Sequence, residues 1–204
     1  MSTTWNERYA QPDYAYGTDP NAFFAEQLRL RQPTGRILLP ADGEGRNGVY
    51  AAEQGLQVSS FDLSEAGQRK AMQLADERRV AIDYRVGDFR ELGYHEASFD
   101  VLALIYAHFP ADVKQDYNQR LATYLRTGGL LIFEAFGSRH LEYRKDDPKV
   151  GGPGSQEMLF SVEELRRTFR YFEVLYLAEE PVTLREGAYH QGTGSVVRFV
   201  GRKL

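Results

Sequence analysis

The stretch "LLPADGEGRNGVYAA", Leu38 to Ala52, sets glycines at positions 43, 45 and 48 directly after an apolar run. Between a strand and a helix, glycines let a ligand approach the backbone, and the free amides of the helix start face it. Glycine turns also serve tight packing alone, so the motif needs company. "SSFDLS" supplies an acid, Asp62, at the predicted end of the next strand, 19 residues after Gly43. That is close to the ~20-residue spacing at which a carboxylate accepts hydrogen bonds from ribose hydroxyls. "YRVGDFREL" then places Asp88 and Phe89 after a third strand, where a carboxylate could accept from an exocyclic adenine amine and a ring could stack. Glycine loop and acid fit an adenosine cofactor, and they fit more than one.

These residues need a parallel sheet to gather them, because an open α/β sheet binds its ligand at the carboxyl ends of its strands. The pattern predicts strands at Arg36–Pro40, Gln57–Phe61, Ile82–Val86, Phe99–Ile105 and Leu130–Ala135. Helices are predicted at Asn47–Gln54, Ser64–Arg79 and Ala111–Leu125, the last carrying an apolar stripe of Val113, Tyr117, Leu121 and Leu125. After Phe136, "SRHLEYRKDDPKVGGPGSQ" reads as a Gly/Pro/charge-rich loop. A helix opened by a Ser161/Glu164 capping box follows it. Two final runs, "YFEVLYLA" and "SVVRFVGRKL", have no helix between them and predict an antiparallel pair at the sheet edge.

In order and spacing, the strand-end glycine loop, "FDLS", "VGDF", "FDVLALIYAHFP" and "LRTGGLLIFEAF" resemble the class I S-adenosylmethionine-dependent methyltransferases over about Arg36 to Phe136. "YGTDPN", "LPADGEGRN" and "EGAYHQGTGSVVRFVGRK" resemble, more narrowly, a bacterial branch of tellurite-resistance and thiopurine-type small-molecule methyltransferases. The resemblance implies a Rossmann-like three-layer α/β sandwich with a seven-strand, mainly parallel sheet in the order 3-2-1-4-5-7-6 and an antiparallel C-terminal edge. It also implies S-adenosylmethionine as methyl donor, S-adenosylhomocysteine as product, and a cofactor set of Gly43, Glu44, Gly45, Asn47, Asp62, Leu63, Asp88, Phe89 and Ile105. One departure stands out. The family pattern DxGxGxG has Leu39 and Ala41 here in place of its acid and first glycine, leaving Asp42 or Glu44 as candidate substitutes. An NAD-dependent oxidoreductase, with six parallel strands, and a non-catalytic cofactor-binding regulator are the alternative readings.

Composition narrows the partners. The 204 residues, 42% hydrophobic, are enough for one domain: an arm or lid over 1–35, a cofactor-binding core over 36–136 and an acceptor-side part over 137–204. A net charge of −4 gives no broad cationic surface for nucleic acid. "MSTTWNERYA" lacks a basic segment followed by an apolar core, and no apolar run approaches the ~18 residues of a membrane span, so a cytoplasmic protein is expected. There is no cysteine, and the four histidines look too scattered in sequence for a ligand cluster, so metal-free chemistry is expected.

On the acceptor side, His108 in "YAHFP" follows the fourth strand and is the candidate base. Tyr16, Tyr106 and His190 are the candidate acceptor-contacting residues, and His140 reads as a solvated loop histidine. The aromatic group Tyr9, Tyr14, Tyr16, Phe23 and Phe24 reads either as a cover over the cofactor or acceptor or as core, with core expected for Phe23 and Phe24. The expected partner is a small molecule, while the sequence leaves the oligomeric state open.

Overall fold

The computed structural model describes residues 2–204. Its sheet has seven strands in the order β3-β2-β1-β4-β5-β7-β6. They are β1 Arg36–Pro40, β2 Gln57–Asp62, β3 Asp83–Val86, β4 Phe99–Ile105, β5 Leu125–Phe136, β6 Phe172–Glu186 and β7 His190–Lys203. The first five run parallel and β7 pairs antiparallel with both β5 and β6. That is the predicted order, and it departs from the six parallel strands of the dehydrogenase reading.

Strand side chains alternate between two buried faces, as sheets covered on both sides require. Ile37, Leu39, Val101, Ala103 and Ile132 pack on one face against Phe24 and Leu28 of α2 (Ala22–Arg31), Val49 of α3 (Arg46–Glu53) and Leu74 of α4 (Glu65–Arg78). Leu38, Leu102, Leu104, Leu131 and Phe133 pack on the other against Leu121 of α5 (Lys114–Thr123) and Leu165 of α7 (Val162–Thr168). Phe23 and Phe24 are buried here, as expected.

Helix starts follow local chemistry. Ser64 Oγ accepts from Gly67 N at 3.0 Å and Ser161 Oγ from Glu164 N at 3.1 Å, satisfying amides that have no intrahelical partner. The reciprocal half of the expected capping box is absent, because the Glu164 carboxylate instead meets Lys114 Nζ at 2.9 Å.

Three expectations change. The Gly128–Gly129 turn lies inside β5, which starts at Leu125, with Gly128 at φ +77° where the register against β4 shifts. A bulge occupies the stretch between the predicted helix end at Leu125 and the predicted strand start at Leu130. The loop after Phe136 contains α6 (His140–Asp146) and two 3₁₀ turns, and it buries His140 completely: Nε2 lies 3.0 Å from Gly151 O, and the ring centroid is 4.0 Å from that of Phe136. The final strands are far longer than their apolar runs. Backbone pairing continues through polar residues to Glu186↔His190, with Pro181 tolerated because β6 is an edge strand.

Candidate active site

A cleft of about 410 Å³ opens at the carboxyl ends of β1 and β4. One wall is the glycine loop: Ala41, Asp42, Gly43 and Glu44, then Arg46 and Asn47 in the first turn of α3. Ile105, Tyr106 and His108 form the far end, with His190 from the hairpin tip and Gly152, Pro153 and Met158 from the segment before α7. Trp5, Arg8 and Tyr9 of α1 (Ser2–Tyr9) close it from above, together with Tyr16.

Each loop glycine admits a different neighbour. A Cβ on Gly43 would stand 2.7 Å from the Tyr9 hydroxyl, and one on Gly48 would stand 2.5 Å from Asp42 Oδ2. Gly45, at φ +82°, lies against Ala71 of α4, whose Cα would be 2.8 Å from an added Cβ. Gly45 therefore serves helix packing, while Gly43 borders the cleft. Ala41 occupies the left-handed region at φ +53°, which explains why the family pattern favours glycine there. Tyr106, at φ +51°, holds the same uncommon conformation at the end of β4.

The acids of this wall differ sharply. Asp62, 8% exposed, accepts from Gly43 N at 3.1 Å and Ser64 N at 3.0 Å, so it orders the loop beneath the cleft lining. Glu44 accepts from Ala15 N at 2.8 Å and Lys70 Nζ at 2.7 Å, tying the N-terminal arm to α4. Asp42 accepts through Oδ2 from Ser60 Oγ at 2.9 Å and Gly48 N at 3.2 Å, but its buried Oδ1 has no partner among the described residues. Burial pushes the Asp42 carboxyl up to about 7, against the pull of those two hydrogen bonds.

The expected cofactor residues are only partly brought together. Gly43, Glu44, Asn47 and Ile105 line the cleft. Leu63 is 46% exposed, and Asp88 is bound by Arg90, whose Nη2 lies 2.6 Å from Oδ2; neither lines the cleft. Phe89 is buried within an aromatic cluster, its ring 5.2 Å from Tyr117 and 6.1 Å from Phe61.

Of the residues expected to meet the acceptor, all four of Tyr16, Tyr106, His108 and His190 line the cleft. His108, His140 and His190, distant in sequence, surround Phe136 with ring centroids 6.1, 4.0 and 5.2 Å from it. The scatter expected from sequence is thus undone by folding. Among the described residues, no group of three or more His, Cys, Asp or Glu is arranged to hold a metal ion. Burial first, and then the unfavourable electrostatics of a second proton beside His190, His140 and the Lys114 ammonium, push the His108 imidazole down to about 4. Its Nδ1 is buried without a partner among the described residues.

Sequence reasoning missed a buried polar network beside this end. Glu186 Oε2 lies 3.0 Å from Arg46 Nη2 and 2.8 Å from His190 Nδ1, while Asn21 Nδ2 reaches Glu186 Oε1 at 3.0 Å and Glu134 Oε1 at 2.6 Å. Arg198 Nε completes it, 2.5 Å from Glu134 Oε2. The only local signal was the acid and histidine four residues apart in "EGAYH", which a loop reading leaves unconnected.

Residues 37–129 match the family of methyltransferase domains. No curated protein matches the chain in sequence. Among solved structures, a protein described for the conversion of a disulfide bond into a thioacetal group during echinomycin biosynthesis superposes with a TM-score of 0.77 at 18% identity, covering 99% of this chain and 90% of its own. TehB from Haemophilus influenzae does so at 0.71 and 16% identity, covering 90% of this chain and 62% of its own. Magnesium protoporphyrin IX methyltransferase from Synechocystis PCC 6803, solved with bound SAH, gives 0.66 and 16% identity, covering 88% of this chain and 80% of its own. These likenesses carry the fold, and the stretch over residues 37–129 is similar to methyltransferase domains.

Proposed function

We propose that this methyltransferase moves a methyl group from S-adenosylmethionine to a small-molecule acceptor, with the arm before Arg36 as a lid, 36–136 holding the donor and 137–204 shaping the acceptor side. The observation that carries the reading is one continuous cleft running from the glycine loop to Tyr106 and His108 at the end of β4. The donor supplies a methyl carbon already activated by a sulfonium. The orphaned Asp42 Oδ1 fits the cationic methionine end of that donor, since a buried carboxylate oxygen without a partner is costly until one arrives. Asp42 thus takes the place left by the missing family acid, and Asp62 holds Gly43 in reach of the donor.

What remains for the chain is positioning, exclusion of water and, for a hydroxyl or amine acceptor, removal of a proton. Tyr16, Tyr106, His108 and His190 give the acceptor end ring faces with few fixed charges, which suits a flat organic molecule. A net charge of −4 argues against nucleic acid as acceptor. No helix among the described residues is long and apolar enough to cross a membrane. The likeness to TehB supports, within the class I enzymes, the tellurite-resistance/thiopurine branch.

Calorimetry tests the donor: S-adenosylhomocysteine should bind in the micromolar range and NAD should not, and the reverse overturns the reading. A screen of small molecules with radiolabelled methyl donor then identifies the acceptor.

A further inference from the structure

Methyl transfer to a protonated acceptor needs a base, and two imidazoles line the acceptor end, His108 and His190. Only one of them is held by a carboxylate. Glu186 and His190 face each other across the tip of the β6–β7 hairpin, with Nδ1 2.8 Å from Oε2. Arg46 and Asn21, each 3.0 Å from a Glu186 oxygen, hold that carboxylate from two further sides. Although burial acts to raise its pKa, the hydrogen bond to His190 and the Arg46 charge keep Glu186 ionised at neutral pH. An ionised carboxylate can only accept, so Nδ1 carries the ring hydrogen and Nε2 keeps its lone pair.

The ring is clamped between Tyr16 at 4.5 Å and Tyr106 at 4.9 Å, and Nε2 makes no hydrogen bond among the described residues. Titratable and charged groups face His190 from every side: Glu186 on β6, Arg46 on α3, Glu134 on β5, Tyr16 on the arm, Tyr106 and His108 beyond β4, and His140 on α6. Burial outweighs the pull of Glu186 and keeps the imidazole neutral at pH 7, in the form that can take a proton. His108 lacks any such partner and stacks parallel on Phe136.

We propose that His190 is the base of the reaction and Glu186 its positioning residue, an assignment that rests on the methyl-transfer reading. His190 Nε2 takes the proton from the acceptor's O–H or N–H. A bond forms from the acceptor atom to the methyl carbon as the sulfur–methyl bond breaks, its electron pair staying on sulfur, and the proton leaves His190 to water.

The test uses the full chain and two probe acceptors, 4-methoxyphenol and the more acidic 4-nitrophenol, at pH 6 to 9, with S-adenosylhomocysteine affinity as the control for folding. His190→Gln should slow 4-methoxyphenol methylation about 10²- to 10⁴-fold, and ionised 4-nitrophenol less than tenfold. Glu186→Gln should shift the acid limb of the pH profile. ¹⁵N NMR of the chain saturated with S-adenosylhomocysteine should show His190 as the Nδ1–H tautomer, with the Nε2–H form increasing in Glu186→Gln. Equal losses on both phenols, or an Nε2–H tautomer in the wild type, overturn the assignment. If neither phenol turns over, the tautomer decides together with the shift of Nε2 on adding 4-methoxyphenol: an Nδ1–H ring whose Nε2 responds upholds the dyad, and any other result overturns it. Failure of the donor to bind counts against the methyl-transfer reading instead.

Discussion

Arg46 and Glu186 form an ion pair of 3.0 Å between the first turn of α3 and the tip of the β6–β7 hairpin, with side chains only 9% and 12% exposed. It joins the glycine-loop wall of the cleft to the end lined by Tyr16 and His190. Removing one partner of such a pair leaves a buried charge undercompensated, which costs more than the pair itself contributes. Arg46→Met should therefore lower stability by about 3 kcal/mol, read as a shift of the urea midpoint at unchanged slope.

The same pair makes the fold acid-sensitive. Glu186 has a folded pKa of about 2 against an ordinary value of 4.5, so its stabilisation is fully present above pH 4.5 and is lost as pH falls through about 2. Glu186→Gln should flatten the pH dependence of the melting temperature in that window. An unchanged acid limb would show that other carboxylates govern acid unfolding.

Asp42 titrates in the opposite sense. Its folded pKa of about 7 lies above the ordinary 3.8, so the folded state holds a proton that the unfolded state releases, and stability falls as pH rises from about 4 to 7. A cationic donor end prefers the ionised form. The affinity for S-adenosylhomocysteine should accordingly rise with pH up to about 7 in the wild type and become pH-independent in Asp42→Asn, as measured by calorimetry in matched buffers.

Asp62 organises the glycine loop through the Gly43 and Ser64 amides. Hydrogen bonds to charged groups contribute about 1.5 to 3 kcal/mol, so Asp62→Ala should weaken S-adenosylhomocysteine binding roughly ten- to a hundredfold. Binding equal to wild type would remove Asp62 from the donor site.

Gly45→Ala should act on the fold. The added Cβ would collide with Ala71 and require φ +82° of an L residue, for a combined cost of about 2 to 4 kcal/mol. Denaturant melts should show the loss, whereas an alanine tolerated without change would mean that α3 and α4 can separate.

Much of this protein was legible in local pattern. Strand β1 has the bounds that its apolar run predicts, Ser64 caps α4 where the sequence places a helix start, and the glycine loop ends in that helix–strand geometry because only glycine meets its φ values at no steric cost. Strand order accompanied the resemblance, since a right-handed βαβ chain has few ways to wind. The acceptor end was not legible in the same way. Period-two apolar runs mark strands only while one face is buried, so the polar extension of β6 and β7 to Glu186↔His190 carried no hydrophobic signal. Phe89 and Asp88 are adjacent in sequence, yet one is buried among rings and the other half-buried beside Arg90, a choice made by packing across the sheet. The dyad of Glu186 and His190, its clamp by Arg46 and Asn21, and the gathering of three histidines around Phe136 exist only in the tertiary structure. Charged and imidazole groups have no periodicity of their own, and the hydrogen bonds that give them roles come from chain segments up to 165 residues apart.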